Sequence, residues 1–465
     1  MFFAILYPTI PQYKGLISVK TFFIRTYGCQ MNFRDSEKLS GLLTQLGYTA
    51  AQSQEDAGLI LYNTCCVRES AEDKIWGHLS RLKNLKSTKP DLIIAVTGCM
   101  SQQPEIAETF RKKHPYVNIV LGTTNRHRFP EFLIRAIQTG QQIIDISEDD
   151  QLPELTGIPV TTREYPHKAG VNIMYGCDNY CSYCIVPYVR GREKSRPMED
   201  ILQEAEALAA DGVKEIMLLG QNVNSYGLTP MSQDAKGFPE LLHRINDIPG
   251  LERIRFMTSH PKDFSGGLIA AMRNLSKVCK SVHLPIQSGS TRILADMNRK
   301  YTQEDYLALI ESLKAAIPGI AISTDIIVGY PGETEEDFQA TLEVVRKARF
   351  AGAFTFMYSK RSGTPAAERT DIIPQEIVSD RFNRLTAEIN PILQEINEAK
   401  LGKTFEVMVE ESQPNGVYKG RTNDHTLVHF NIDQERNPSQ GLNPGDMVQV
   451  RIETAKTFYV SGKLA

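Results

Sequence analysis

Apolar and polar positions along the first third of the chain switch repeatedly between two spacings. Strand-length apolar runs stand at TFFIRTYG (21–28), LILYNT (59–64), DLIIAVTG (91–98) and NIVLGT (118–123). Between them apolar residues recur with helical spacing, as in RDSEKLSGLLTQL and RESAEDKIWGHLSRLKNL. This βαβ pattern predicts a parallel sheet covered by helices. A polar, proline-containing stretch, SEDDQLPELTGIPVTTREYPHKAG (147–170), then reads as a linker. From 171 the alternation resumes with VNIMYG (171–176), EIMLLG (215–220), RIRFM (253–257), SVHLPI (281–286), AISTDIIVG (321–329) and AFTFMY (353–358). Strands alternating with helices in this number predict a barrel, incomplete at six βα units, rather than a small open sheet. After a helical stretch at 374–400, short alternating strands follow, broken by turn signals at PNG (414–416), TND (422–424) and NPGD (443–446). They predict a small all-β barrel. The expected fold is therefore α/β, with domains at 20–146, 163–400 and 401–465.

Composition narrows the class only slightly. With 465 residues, 41% hydrophobic and 23% charged, the chain is ordinary for a globular protein. A formal net charge of −3 gives no global basic field, so any RNA contact must come from local patches. The start, MFFAILYPTIPQYKGLISVK, is apolar but broken by Pro8 and Pro11, and is too short to span a bilayer. It reads as a loose extension (1–19), and a cytoplasmic protein without a membrane anchor is expected.

The cysteines change the picture. There are eight, too sparse for a disulfide scaffold in a chain of this length. GCDNYCSYC (176–184) holds Cys177, Cys181 and Cys184 at C-x3-C-x2-C, directly after the first strand of the second domain. Cys29, Cys65 and Cys99 each follow one of the first three strands of the first domain, so they converge on one carboxyl edge of one sheet. Both triplets thus stand where parallel α/β proteins place their chemistry. All-thiolate ligation favours zinc or an iron–sulfur cluster. Structural zinc closes a four-ligand tetrahedron, whereas three thiolates on a four-iron cluster leave one iron open. The spacing favours the open cluster, with zinc as the alternative. Cys66, adjacent to Cys65, is the alternative ligand at that corner; Cys279 reads as a buried small hydrophobe.

The C-x3-C-x2-C triplet, with the aromatic Tyr183 before its third cysteine, resembles the radical S-adenosylmethionine superfamily. TYGCQMNFRDSE, YNTCCVRESAEDK, VTGCM, VPYVRGREKSR, LLGQNVNSYG, HLPIQSGS, MNRKYT and DIIVGYPGETEEDF together resemble the methylthiotransferase family, over about residues 20 to 465. The resemblance implies that Cys177, Cys181 and Cys184 hold a four-iron cluster whose open iron binds S-adenosylmethionine, yielding a 5′-deoxyadenosyl radical. It implies a second four-iron cluster on Cys29, Cys65 and Cys99, and a C-terminal TRAM domain, an OB-like module that binds tRNA. It places Tyr183, Gln221, Asn222, Gln287, Ser288, Gly329 and Gly332 at the cofactor; Gly329 and Gly332 also read as plain turn residues.

The stretch around Cys65, with Arg68 and Glu69, resembles the enzymes acting on N6-isopentenyl-adenosine at position 37 of tRNA, two S-adenosylmethionine being used for each 2-methylthio product. Threonylcarbamoyl-adenosine in tRNA and an aspartate of a small-subunit ribosomal protein are the alternative substrates. A zinc-dependent RNA-binding module is the alternative of a different class. Residues 402–465 carry seven Lys and Arg against eight Asp and Glu, so the RNA role of that module rests on resemblance. RGREKSR offers Arg190, Arg192, Lys194 and Arg196 as phosphate contacts, or else a solvated face. An electron donor such as flavodoxin or ferredoxin, an iron–sulfur carrier and a monomeric state complete the expectations.

Overall fold

A computed structural model of the chain describes residues 21–66, 69–147, 163, 165–228, 237–413, 416–432 and 441–465, without the side chains of 69–73. The expected N-terminal extension, most of the expected linker, Arg68, the Glu69 side chain and the first two residues of the PNG turn lie outside this description. Two compact units emerge. The first contains the N-terminal sheet and recovers residues 175–178 and 184–196; the second holds 165–174, 179–183 and 197–465.

The first unit is built on β1 (Thr21–Thr26), β2 (Thr49–Ala50), β3 (Leu59–Thr64), β4 (Ile93–Gly98), β5 (Ile119–Leu121) and β6 (Ile143–Asp145). They form one parallel sheet in the order β2-β1-β3-β4-β5-β6. The central strands β3 and β4 are buried at every position, which is why they read as continuous apolar runs rather than alternations. Helices α1 (Gln30–Gln45), α2 (Glu69–Thr88), α3 (Pro104–Lys113) and α4 (Phe129–Thr139) cover the sheet and separate its core into two layers. The pattern missed β2 and β6, edge strands of two and three residues, too short to show a periodicity. A short helix α5 (Val186–Arg190) belongs to this unit, with Ile185 and Val189 in its core and the Thr123 hydroxyl donating to the Val189 carbonyl.

The second unit carries six parallel strands: β7 (Lys168–Asn172), β8 (Glu215–Leu219), β9 (Arg253–Phe256), β10 (Ser281–His283), β11 (Ala321–Val328) and β12 (Gly352–Met357). They pair as β9-β8-β7 and β10-β11-β12, and backbone bonds from Ile254 N to Lys277 O and from Cys279 N to Ile254 O join the triplets. Helices between the strands bury their apolar faces against one continuous core. β11 alternates strictly: Ile322, Thr324, Ile326 and Val328 are buried, while Ser323, Asp325 and Ile327 are only half-buried. The first barrel strand begins at Lys168, earlier than the apolar run suggests, because its backbone pairs with β8 from Glu215 onward. After α6 (Gln375–Glu398), five strands at Thr404–Ser412, Val417–Thr422, Leu427–Asn431, Met447–Ala455 and Val460–Leu464 close a small barrel. It is held to the six-stranded part through the buried Arg253 and Arg255, which donate to the carbonyls of Arg421 and Thr422 at 2.6 and 2.8 Å.

Candidate active site

In the first unit, the parallel register brings the ends of β1, β3 and β4 together. Cys29 is the N-cap of α1, Cys65 follows β3 directly and Cys99 follows β4 directly. The Cys99 N–H donates to the Thr64 carbonyl at 2.9 Å, which ties two of these corners. Two glycines keep the corner clear. Gly28, at φ +125°, would place a Cβ 2.6 Å from Cys65 Cβ and 3.1 Å from its Sγ. Gly98, at φ +108°, would drive a Cβ into the Thr64 backbone. Only glycine satisfies both the backbone conformation and the close approach.

The charge around this corner is unusual for an interior. Arg190 is buried and donates from Nε to Cys99 Sγ at 3.2 Å and from Nη2 to Asn32 Oδ1 at 2.8 Å. Asp35 lies 3.5 Å from Arg190 and also pairs with the buried Arg126. Two guanidinium groups therefore share one carboxylate, and a buried excess of positive charge needs an anion. A hydrogen bond from Cys66 lowers the Cys99 thiol pKa; burial opposes this, and Arg190 and Arg126 lower it further. Cys66 lies in the apolar core beside Cys99, whereas the Cys65 side chain faces Gly28.

In the second unit, Cys181 is buried on a turn whose Tyr180 adopts a left-handed φ of 45°. The MNRKYT segment grips that turn. Asn298 Nδ2 donates to the Asn179 and Tyr180 carbonyls at 3.2 and 2.9 Å, and Ser182 N donates to Met297 O at 3.0 Å. Ser182 Oγ donates to the Asp296 carbonyl and lies 2.8 Å from Tyr330 Oη. Arg299 Nη1 reaches Cys181 Sγ at 3.5 Å; its other donors go to Tyr301 Oη and Pro285 O. Among the described residues no carboxylate pairs with this buried guanidinium. Burial, then Arg299 and Lys262, push the neighbouring His260 down to about 2, so it stays neutral.

Cys177 and Cys184 belong to the first unit. There the Cys177 N–H donates to Gly191 O at 3.1 Å, and Asp178 pairs with Arg192 at 3.0 Å. Tyr183 is half-buried and packs against the cluster of Ile293, Met297, Tyr330 and Ala366.

The remaining expected residues divide by environment. Gln287, four residues past β10, bridges to Ile326 of β11 with φ +74°, a strained conformation held by backbone bonds to Asp325 and Ile327. Gln221 begins the turn after β8 and is half-buried. Asn222 departs from expectation: it donates to Asp263 and accepts from the His260 N–H, so its amide ties the loop after β8 to the loop after β9. Ser288 is wholly buried and engaged with Ser290 N and Thr341, again a brace. Gly329 and Gly332 have packing reasons, since a Cβ would strike Val378 and Arg369 respectively.

The expected phosphate contacts also split. Arg190 and Arg196 are buried, which corrects their reading as surface contacts; Arg192 is exposed and Lys194 half-buried. The sequence reading missed the role of Arg190 and Arg299 toward the cysteines, because an arginine beside a motif carries no local mark of the sulfur it will meet in the fold.

These surroundings suit iron–sulfur clusters. Among the described residues no three Cys, His, Asp or Glu side chains stand close enough to hold a single ion. Cys29, Cys65 and Cys99 on one sheet edge, with Gly28 and Gly98 keeping the corner clear and the buried Arg190 at Cys99, suit a larger anionic cluster. A cavity of about 290 Å³ lies elsewhere, at the N-terminal ends of β10, β11 and β12, lined by Ser281, Ala321, Phe354, His425 and Phe458.

Comparison with known proteins agrees with this arrangement. Residues 171–345 match the Radical SAM superfamily, 21–122 the family described as Uncharacterized protein family UPF0004, and 398–465 the TRAM domain. The tRNA-2-methylthio-N(6)-dimethylallyladenosine synthase of Acetivibrio thermocellus is 51% identical over 96% of this chain and 91% of its own length. That of Caldicellulosiruptor saccharolyticus is 53% identical over 90% of this chain and 88% of its own. Among solved structures, the radical S-adenosylmethionine methyltransferase TsrM of Kitasatospora setae shares the fold, with a TM-score of 0.55 at 16% identity, covering 75% of each chain. No helix among the described residues is long and apolar enough to cross a membrane. The chain belongs to the radical SAM methylthiotransferases, in the family of the tRNA-2-methylthio-N(6)-dimethylallyladenosine synthases.

Proposed function

We propose that this chain is a tRNA methylthiotransferase that converts N6-isopentenyl-adenosine at position 37 to its 2-methylthio derivative, using S-adenosylmethionine and two four-iron clusters. The convergence of Cys29, Cys65 and Cys99 on one sheet edge carries the reading, together with the separate C-x3-C-x2-C triplet. When bound, these groups supply the hydrogen-abstracting radical and the methylated sulfur, which carbon 2 of adenine, a poor electrophile, requires. Cys177, Cys181 and Cys184 hold the cluster that binds S-adenosylmethionine, and Cys29, Cys65 and Cys99 hold the second.

The chain's own residues position these groups. Asn298 and Ser182 fix the turn that carries Cys181, and Gly28 and Gly98 keep the other corner clear. Tyr183, Gln221, Gln287, Gly329 and Gly332 line the S-adenosylmethionine site; Gln287, strained and bridged to β11, is the best supported. Arg192 and Lys194 contact phosphates of the anticodon loop, whose unpaired bases are the accessible ones. The domains run 20–146, 163–400 and 401–465. The protein works as a cytoplasmic monomer and receives electrons from a flavodoxin- or ferredoxin-like donor, with an iron–sulfur carrier rebuilding the second cluster.

Nucleoside analysis of tRNA from strains with and without the gene tests this. The methylthio mark should vanish on deletion and return with the intact gene but not with Cys65→Ala. Its persistence in the deletion strain contradicts the substrate assignment.

A further inference from the structure

Each cysteine triplet has a buried guanidinium on one of its sulfurs. Arg190 meets Cys99 at 3.2 Å and Arg299 meets Cys181 at 3.5 Å. Neither is neutralised in the ordinary way. Arg190 shares Asp35 with Arg126, and Arg299 is surrounded by a phenol, a carbonyl and the thiol. Isolated ions in an interior cost several kcal/mol each, so such groups persist where an anion faces them. A thiolate-ligated cluster is that anion, and it becomes more negative on reduction. A fixed cation and an N–H donor at sulfur therefore favour the reduced form. The two arginines come from different segments: Arg190 ends α5, just after Cys184, and Arg299 lies in MNRKYT.

We propose that Arg190 and Arg299 are positioning residues, each donating to one cysteine sulfur of one cluster and raising that cluster's reduction potential. Each guanidinium acts on its own cluster alone. This rests on the two-cluster reading, so the test first establishes that reading in the unaltered protein.

The experiment uses full-length chains reconstituted anaerobically. In one, Cys177, Cys181 and Cys184 are changed to Ala, leaving the cluster on Cys29, Cys65 and Cys99; in the other, Cys29, Cys65 and Cys99 are changed, leaving the cluster on Cys177, Cys181 and Cys184. Iron content and midpoint potential, followed by electron paramagnetic resonance, are measured for each. Absence of iron in the unaltered protein overturns the two-cluster reading itself. Given iron, Arg190→Gln should lower the potential in the first chain and Arg299→Gln in the second, with Arg→Lys recovering part of each shift. Placing each Gln substitution in the full-cysteine protein should leave the other cluster's potential unmoved. Full iron with an unchanged potential in the Gln variants overturns the proposal, as do equal shifts at both clusters. Where a Gln variant loses its iron, retention by the Lys variant supports the proposal. Loss from both shows that shape rather than charge is at stake and overturns it.

Discussion

Cys65 and Cys66 stand side by side, yet the fold gives them different neighbours. One faces Gly28; the other lies in the apolar core beside Cys99. Cys65→Ala should therefore remove the iron held by Cys29, Cys65 and Cys99, leaving about four of about eight irons per chain. Cys66→Ala should keep the full complement; the reverse result in iron analysis moves the ligand role to Cys66. Cys181→Ala should abolish 5′-deoxyadenosine formation, measured by chromatography.

His260 makes a prediction about acid. Its pKa is about 2 in the fold against an ordinary value of about 6.5. The fold resists protonating it, so its contribution is complete above about pH 6.5 and falls away as pH drops toward 2, by up to about 1.4 kcal/mol per unit. The melting temperature of the metal-free chain should drop between pH 7 and 5, and less steeply in His260→Gln. Equal slopes in the two proteins refute this account.

At the level of elements, β3, β4, β8 and β11 were legible because burial demands apolar runs or strict alternation of them. β2 and β6 were not, since pairing at a sheet edge needs only backbone. Thr334 and Asp337 form a capping box at the helix Glu335–Ala348, and Asp337 also accepts from Ser290 and Arg292. Asp337→Asn should cost about 1–2 kcal/mol, read as a lowered denaturation midpoint. Gly98→Ala should cost roughly 2 kcal/mol or more, because the left-handed backbone and the Thr64 contact are both violated. A melting temperature equal to the parent's would show that this corner can yield. The cysteine spacing pointed to candidate ligands, but the Asn222 and Ser288 braces and the buried Arg190 were hidden. Their contacts lie tens of residues away, which spacing does not encode.

For the molecule as a whole, consecutive sequence and compact unit do not coincide. Ile185 and Val189, more than 35 residues past the last strand of the first sheet, fill a layer under that sheet, and Thr123 clasps the same stretch. A gene fragment stopped at residue 146 would thus express a body missing a rib from its own interior. Dissection at that point should yield aggregated material, and supplying 163–465 from a second plasmid should restore solubility to both halves.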